Sequence, residues 1–263
     1  MEIVKTDENN NMILGYQPDL IKSTIVFNGK NNILICEENV SLQNSTLKFN
    51  GNNSIIYLST PRSKYYLGIT IYNNSVFFID EMTSMNGKLQ IIVSEEQNIV
   101  IGKDCLFSWG IWIRVSDVHL IYDIADKNRI NLSQSVFLGD HIWIGQDAMI
   151  LKGTHIGSGS VVGAKSVVAN KRVSSNSVWG GNPAKEIKRG IFFNKTSSNL
   201  FTKKHTEKFM KSDNDEWIFS DEGEILNFNE IDRKLSEASN LNEKIALIKS
   251  IRNNTNHNRF YIG

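Results

Sequence analysis

The sequence of 263 residues lacks several features that mark whole classes of protein. It has no run of about 18 apolar residues, so we expect no integral membrane segment. Its opening, MEIVKTDENN, has no basic segment followed by an apolar run, which argues against a secretory signal. The formal net charge is only +1, so nothing indicates nucleic acid as the main partner. We therefore expect a cytoplasmic protein.

Cysteine and proline are also scarce. The two cysteines, Cys36 and Cys105, have no CxxC spacing, which predicts reduced thiols packed in a core rather than a metal or redox site. Only three prolines occur. The chain is 40% hydrophobic and long enough to bury a substantial core as one or two domains.

A repeat of six residues runs through GDHIWIGQDAMILKGTHIGSGSVVGAKSVVANK. The aliphatic residues in one phase are Leu138, Ile144, Ile150, Ile156, Val162 and Val168, and mostly small residues follow them. A period of six fits neither an amphipathic helix nor an alternating strand. It fits a coil with three flat faces, in which each face points one aliphatic side chain inward. The repeat therefore predicts a mainly β protein built on a parallel β-helix.

The N-terminal half has a looser version of this pattern. Apolar pairs separated by one residue recur with drifting spacing, and segments such as NGKNN and NGNNS interrupt them. Asn and Gly tolerate the left-handed backbone that tight corners need. We predict one irregular β-helix over about 20–182. An ordinary antiparallel β arrangement of the N-terminal end is the alternative.

The repeat breaks at His119. Ile101, Phe107 and Ile113 are spaced by six, and the next step reaches His119, but Leu138 follows at an offset of 19 (138 − 119), which is not a multiple of six. The segment of about 120–135 must therefore leave the coil as a loop that begins beside the histidine. Loops on rigid scaffolds commonly carry binding and catalytic groups.

The character of the chain changes after about residue 190. We predict a β-helix domain over 1–190 and a C-terminal mixed, mostly helical extension over 191–263. Within the extension we expect a short helix in 197–212, two short strands in 217–228, and two helices over 230–254 that begin after a cap at Asn229. Packing or assembly is the expected role, and holding a polymeric acceptor is the alternative.

Three segments carry a family likeness: SDVHLIYD, the repeat segment from Gly139, and WGGNPAKEIKRG. Over about 95–190 the chain resembles the left-handed β-helix acyltransferases of the hexapeptide class. Within that class it is most similar to bacterial saccharide O-acetyltransferases, such as those acting on maltose, galactosides, capsule or polysialic acid. The resemblance implies acetyl-CoA as co-substrate, a saccharide acceptor, no metal, and a homotrimer with CoA in the groove between neighbouring coils.

The resemblance also assigns residues. His119 matches the catalytic histidine, and Trp143 matches the tryptophan of the WIG signature at an offset of 24 (143 − 119). The positions expected near CoA are Trp143, Gln146, Ala164, Lys165, Ala169 and Lys188, and Asn182, Pro183 and Ala184 match the closing corner. Three departures are Leu120 where a proline commonly follows the histidine, Ser174 and Ser175 in place of a proline pair, and a corner near Lys171 that is longer by one position.

The chemistry of acetyl transfer explains why such residues are needed. A neutral imidazole can take the proton from an attacking hydroxyl, so we assign His119 as general base, against the alternative of a merely packed histidine. Asp117, two positions earlier, is a candidate to orient the imidazole. Lys171 and Arg172, with Lys165, Lys188 and Arg189, are candidates for the CoA phosphates, against the alternative of a solvated surface.

Other residues leave several possibilities open. Trp109, Trp112 and Tyr122 flank His119, where they would bind the acceptor sugar or pack against a neighbouring chain. His119, His141 and His155 lack the His-x4-His pair of the related zinc enzymes, so we expect no metal. The predicted function is an acetyl-CoA-dependent O-acetyltransferase acting on a cell-surface polysaccharide or its precursor. The alternatives are an N-acetyltransferase for a nucleotide-linked amino sugar and a non-catalytic β-helix protein.

Overall fold

The computed structural model describes residues 2–263, which form a parallel β-helix followed by a helical extension. The strands in chain order are β1 (Ile3–Thr6), β2 (Met12–Gly15), β3 (Asp19–Ile21), β4 (Thr24–Phe27), β5 (Ile33–Cys36), β6 (Ser41–Gln43), β7 (Thr46–Phe49), β8 (Ile55–Leu58), β9 (Leu67–Ile71), β10 (Val76–Ile79), β11 (Ser84–Met85), β12 (Leu89–Val93), β13 (Asn98–Ile101), β14 (Leu106–Phe107), β15 (Trp112–Arg114), β16 (Val136–Leu138), β17 (Trp143–Ile144), β18 (Met149–Ile150), β19 (His155–Ile156), β20 (Val161–Val162), β21 (Val167–Val168), β22 (Arg172–Val173), β23 (Ser177–Gly181) and β24 (Ala184–Arg189). The helices are α1 (Lys203–Lys208), α2 (Phe228–Glu237) and α3 (Leu241–Asn253).

The coil has three faces, which we name by their number of strands. The nine-stranded face has the order β1-β2-β5-β8-β10-β13-β16-β19-β22, the six-stranded face β11-β14-β17-β20-β23-β24, and the seven-stranded face β21-β18-β15-β12-β9-β7-β4. Strands β3 and β6 form a separate parallel pair. All pairings between successive coils are parallel, and among the strands named above only the terminal hairpins β1–β2 and β23–β24 are antiparallel. The predicted β-helix is therefore confirmed, and the antiparallel alternative for the N-terminal end is wrong beyond the first hairpin.

The length of one coil changes along the chain. The sequence numbers of paired residues on the nine-stranded face differ by 21 or 22 at first, as in Met12↔Ile33 (33 − 12) and Ile33↔Ile55 (55 − 33). They differ by 18 later, as in Phe137↔His155 (155 − 137). Three repeats of six explain only the later coils. The longer corners of the early coils explain why the repeat drifts in the N-terminal half.

The interior of the coil follows the six-residue repeat. Leu138, Ile144, Ile150, Ile156, Val162 and Val168 are all fully buried. Each inward side chain packs on the equivalent ones above and below, so stacking supplies the core that one repeat cannot form alone. Cys36 and Cys105 are buried free thiols, as predicted. Burial raises the pKa of the Cys36 thiol to about 12, so the thiol stays protonated at neutral pH.

The central strands of the nine-stranded face are buried on both sides. Strands β5, β8, β10 and β13 contain only buried residues, because the C-terminal extension covers their outer surface. Phe228, Ile231, Leu235, Ile248 and Phe260 of the extension pack against this surface. Two-sided burial favours apolar residues on both sides of a strand, so β5, β8 and β10 are continuous apolar runs rather than alternating ones.

Part of the extension differs from the prediction. The short helix and the two later helices are present, but Asn227, not Asn229, caps α2, and its side chain accepts hydrogen bonds from the backbone N–H groups of Asn229 and Glu230. The described segment 217–228 contains no strand. Phe219 in its irregular part and Phe228 at the start of α2 are buried individually instead of alternating along a pair of strands. The extension is therefore helical and irregular, not mixed α/β.

A buried ion-pair network joins the extension to the coil. The Arg259 guanidinium is 1% exposed and donates hydrogen bonds to Asp80 (2.6 Å) and Asp140 (2.8 Å from both Nε and Nη2). Its Nη1 donates to the backbone carbonyls of Ile251 and Asn254.

Among residues 2–263, none of the three helices has the length and the apolar content that a membrane-spanning helix needs.

Candidate active site

The segment between β15 and β16, residues 115–135, leaves the coil at the corner between the seven-stranded and nine-stranded faces. We call it the His119 loop. Strands β13 and β16 are neighbours although the sequence numbers of the paired residues Ile99 and Val136 differ by 37 (136 − 99), far more than in the other coils. The loop folds back on itself through hydrogen bonds from Asp123 N to Asn128 O and from Ile130 N to Ile121 O, both 2.9 Å. The predicted excursion beside the histidine is thus present.

Asn131 holds the start of this loop. Its buried side chain donates to the His119 carbonyl (2.8 Å) and to the Asp117 carboxylate (3.1 Å), and it accepts from the backbone N–H of Ile121 (2.9 Å). One amide thereby holds the backbone at His119 and Ile121 and the side chain of Asp117. The sequence reasoning missed this residue, although a single amide between Ile130 and Leu132 was a possible signal.

The His119 side chain itself is exposed, and its ring makes no hydrogen bond with any other residue among 2–263. Asp117 lies two positions away, but its carboxylate accepts from Lys152 Nζ (2.6 Å) and from Asn131. The hydrogen bond from Lys152 is the main cause that lowers the pKa of Asp117. In this chain Asp117 therefore orders the loop, and its carboxylate is directed to Lys152 instead of the imidazole.

Trp143 lies on a different face of the coil from the His119 loop. It is the first residue of β17, beside Leu106 and Val161 on the six-stranded face, and its side chain is 39% exposed. Inward positions such as Ile144 alternate with outward ones such as Trp143. The structure therefore presents Trp143 on the surface, but a single chain does not place His119 and Trp143 on one face.

Residues of the extension pack behind Trp143. The Phe193 ring is 5.9 Å from the Trp143 ring, and the His141 imidazole is stacked between Phe193 (4.1 Å) and Trp217 (3.7 Å). We call Phe193, His141 and Trp217 the aromatic stack. The buried His141 ring is held at both nitrogens, Nδ1 by the Asp104 carboxylate (2.7 Å) and Nε2 by the Phe193 carbonyl (2.9 Å).

Asp104 completes this cluster. It is bound by His141 and also by Lys195 Nζ at 2.7 Å. Burial opposes ionisation of the carboxyl group, but the hydrogen bonds from His141 and Lys195 outweigh it and lower the pKa of Asp104. The sequence did not identify the aromatic stack, because its members lie far apart along the chain and no local pattern links them.

The residues predicted to contact CoA lie around the end of the coil. Gln146, Ala164 and Lys165 form one strip at the corner between the six-stranded and seven-stranded faces, where Lys165 N donates to Gln146 O (2.7 Å). Ala169, Lys171 and Arg172 lie at or just beyond the next corner, between β21 and β22, and Lys188 lies on β24. All these side chains are exposed. The five cations of the sequence prediction thus surround the end of the coil and do not form one cluster.

The remaining candidates are also dispersed. Trp109 lies one coil before Gln146 at the same corner, Trp112 faces outward from β15, and Tyr122 lies on the His119 loop. Arg189 is engaged by Glu186 (2.9 Å) and Ser174 (2.8 Å). Within residues 2–263 no group of three His, Cys, Asp or Glu side chains is arranged to hold a metal ion.

No family model matches the chain, but individual proteins do. It is 35% identical over 75 residues to a polysialic acid O-acetyltransferase of Neisseria meningitidis. This match covers 28% of this chain and 34% of that protein. It is also 40% identical over 105 residues to a polysialic acid O-acetyltransferase of Escherichia coli O1:K1 / APEC. This second match covers 40% of this chain and 34% of that protein. The matched part spans about a third of the length of each curated relative.

Solved structures match over a longer part of the chain. The crystal structure of the polySia specific acetyltransferase NeuO matches with 32% identity and a TM-score of 0.65, over 76% of this chain and 93% of that chain. The polysialic acid O-acetyltransferase OatWY matches with 25% identity and a TM-score of 0.57, over 72% of this chain and 93% of that chain.

Proposed function

Because the chain belongs to the left-handed β-helix acyltransferases of the hexapeptide class, we propose that it transfers an acetyl group from acetyl-CoA to a hydroxyl of a saccharide. The relatives' names support the acyl group and the kind of acceptor. The observation that carries the proposal is the position of His119. An exposed imidazole stands at the start of the long loop on an otherwise rigid coil, and Asn131 fixes its backbone.

The proposed mechanism uses His119 as general base. The thioester of acetyl-CoA supplies the acyl group. His119 takes the proton of the acceptor hydroxyl as that oxygen attacks the thioester carbonyl carbon, and it returns a proton to the departing sulfur when the carbon–sulfur bond breaks. The oxygen that gains negative charge needs a hydrogen-bond donor, and the exposed Gln146 amide beside Trp143 is a candidate.

The exposed residues near Trp143 fit an elongated, anionic co-substrate. We place its arm along the strip formed by Trp143, Gln146, Ala164 and Lys165, where a backbone corner and an aromatic ring offer contact surface. Lys188 on β24 would hold a phosphate as a point charge. Lys171 and Arg172, together with Ala169, lie one corner farther on, so they would contribute only where a neighbouring coil completes the groove.

Assembly as a homotrimer is the second part of the proposal. In the isolated chain the His119 loop exposes many apolar side chains, and Ile124 is 87% exposed. Such a surface commonly marks a protein interface. His119 and Trp143 also lie on different faces of one chain, so a site that uses both is best assembled from two neighbouring chains. Tyr122 on the same loop would then line the acceptor side.

Complementation tests this assembly. Chains carrying His119→Ala and chains carrying Trp143→Ala should each be nearly inactive. Trimers formed from an equal, random mixture should regain activity at about a quarter of their sites, where the intact histidine of one chain meets the intact tryptophan of the next. A mixture as inactive as its components would contradict a shared site, and sedimentation of an active monomer would contradict the trimer.

The chemical role is tested by CoA release from acetyl-CoA with a panel of saccharides. His119→Ala should lower turnover about 10²–10⁴-fold without changing the thermal transition, because only the proton transfer is lost. His205→Ala is the matched control, since His205 is an exposed histidine on α1. Equal activity of wild type and His119→Ala would refute the assignment. Amino sugars linked to nucleotides belong in the panel, because preference for them would indicate N-acetylation.

A further inference from the structure

A groove of about 810 Å³ lies on the outside of the coil, beside the extension. It lies between the corner that joins the seven-stranded to the nine-stranded face and the turn between α2 and α3. We call it the asparagine groove. One wall carries Asn31, Asn53, Asn74 and Glu96, and the other carries Ser236 and Asn242.

The coil wall of this groove is a regular row of hydrogen-bonding groups. Asn31, Asn53, Asn74 and Glu96 occupy equivalent corner positions in four successive coils, with φ of 55°, 55°, 54° and 60°. Their side chains form a ladder, with Nδ2 to oxygen distances of 3.3, 3.3 and 2.6 Å. Successive coils are about 4.8 Å apart, so the row is roughly 14 Å long. Its shape therefore suits an extended chain rather than a compact molecule.

The groove ends at the His119 loop. The loop leaves from the same corner of the next coil, and it is bonded to the coil directly beneath it. Glu95 accepts from Arg129 (2.9 Å) and Ser133 (2.8 Å) of the loop, and Gln97 accepts from Ser135 (3.3 Å). Glu95 and Gln97 also line the groove. A chain lying in the groove would therefore lead towards the loop that carries His119.

The lining indicates the chemistry of the ligand. It is rich in carboxamides and hydroxyls, and the side chains of Ser236 and Asn242 make no hydrogen bond within residues 2–263. Its charged groups offer nothing to a polyanion. Glu95 is paired with Arg129, Glu96 is acidic, and Lys244 is buried with its ammonium donating to the Asn74 carbonyl. Such a surface can hydrogen-bond hydroxyls and amides, but it has no exposed, unengaged cation among its described residues to attract a row of carboxylates.

We propose that the asparagine groove binds the distal residues of an uncharged, chain-like saccharide whose reacting residue lies at His119. This inference rests on the proposed function and deepens it, because it names the acceptor as an uncharged oligomer or polymer. The sialic acid polymers named for the relatives would be poor ligands of this groove.

Binding is measured by calorimetry on His119→Ala, in which the acceptor is not consumed. The probes are maltoheptaose, a β-linked galactan oligomer, chitohexaose in its N-acetylated form, their monosaccharides, and an α2,8-linked sialic acid hexamer. We expect at least one uncharged oligomer to bind about 10-fold or more tightly than its monosaccharide. The added Ser236→Ala/Asn242→Ala pair should weaken that oligomer about 10-fold and leave the monosaccharide unchanged, because two hydrogen bonds are lost.

Asn50→Ala is the matched control. Asn50 bonds to Asn28 (2.8 Å) at the same corner but does not line the groove, so its loss should leave oligomer binding unchanged. The inference is overturned if no uncharged oligomer binds better than its monosaccharide, if the sialic acid hexamer binds best, or if the groove variant and Asn50→Ala behave alike. If the groove variant weakens oligomer binding but the wild type never releases CoA, the result counts against the proposed function and not against the asparagine groove.

Discussion

Replacing Arg259 with methionine should lower the free energy of unfolding by about 3–5 kcal/mol, the range for breaking a buried ion pair from one side. Arg259, Asp80 and Asp140 are each at most 1% exposed, so the substitution removes the cation that two buried carboxylates share, and water cannot replace it. Asp80 keeps a second partner in Arg252 at 3.2 Å, whereas Asp140 has no other ion pair within residues 2–263. Most of the cost should therefore come from Asp140.

Urea unfolding followed by circular dichroism measures this cost. Arg233→Met is the control, because Arg233 forms an exposed pair with Glu237 and should change stability by no more than about 1 kcal/mol. Adding Asp140→Asn to Arg259→Met should recover part of the loss, since it removes the buried charge. A loss below about 1 kcal/mol, or no recovery with Asp140→Asn, would refute the view that this network anchors the extension.

The pH dependence of this loss has a definite sign. Burial already raises the pKa of Asp80, and Arg259 opposes that rise. Without the guanidinium the folded-state pKa of Asp80 rises further above its unfolded value. The penalty of Arg259→Met should therefore be largest at neutral pH and should shrink as pH falls through the folded-state pKa of Asp80, because protonation removes the buried charge of this carboxyl group.

Three further predictions concern the site and the interface with the extension. Lys188→Ala should raise the KM for acetyl-CoA about 10-fold and leave kcat and the saccharide KM unchanged, because a phosphate contact is shared by ground and transition states. A lower kcat at saturating acetyl-CoA would argue against the placement of Lys188 at a phosphate. Phe193→Ala removes the ring that packs against Trp143. Acrylamide should then quench the fluorescence of Trp143 more strongly, and the KM for acetyl-CoA should rise several-fold. Unchanged quenching would show that Phe193 does not position the indole. His155 is half-buried under Phe228, and burial, with Arg172 nearby, lowers its pKa below the ordinary value of 6.5. The stability of the wild type should therefore fall as pH decreases from 6.5 towards that lower pKa, while His155→Leu should show a flatter profile of melting temperature against pH. Equal slopes of the two profiles would rule out His155 as the cause.

The spacing of apolar residues along the chain was enough to predict the coil. The positions from Leu138 to Val168 repeat every six residues, and each inward side chain interacts mainly with its equivalents in the next coil, so a local pattern defines both the corner and the core. The break in that pattern at His119 was equally local, which is why the loop was predictable from spacing. Trp143, by contrast, was assigned from the family resemblance, by its WIG segment and its offset of 24 (143 − 119) from His119.

Tertiary packing decided what the spacing left open. Nothing near Arg259 in the sequence indicates Asp80 or Asp140, which lie 179 and 119 residues earlier, and nothing near Trp143 indicates Phe193. The strands predicted in 217–228 do not form, because Phe219 and Phe228 are stabilised by separate contacts in the extension and on the coil rather than by pairing with each other. A repeat determines interactions between equivalent positions one coil apart, whereas the burial of charges and aromatic rings by a distant segment depends on which surfaces meet when the whole chain has folded.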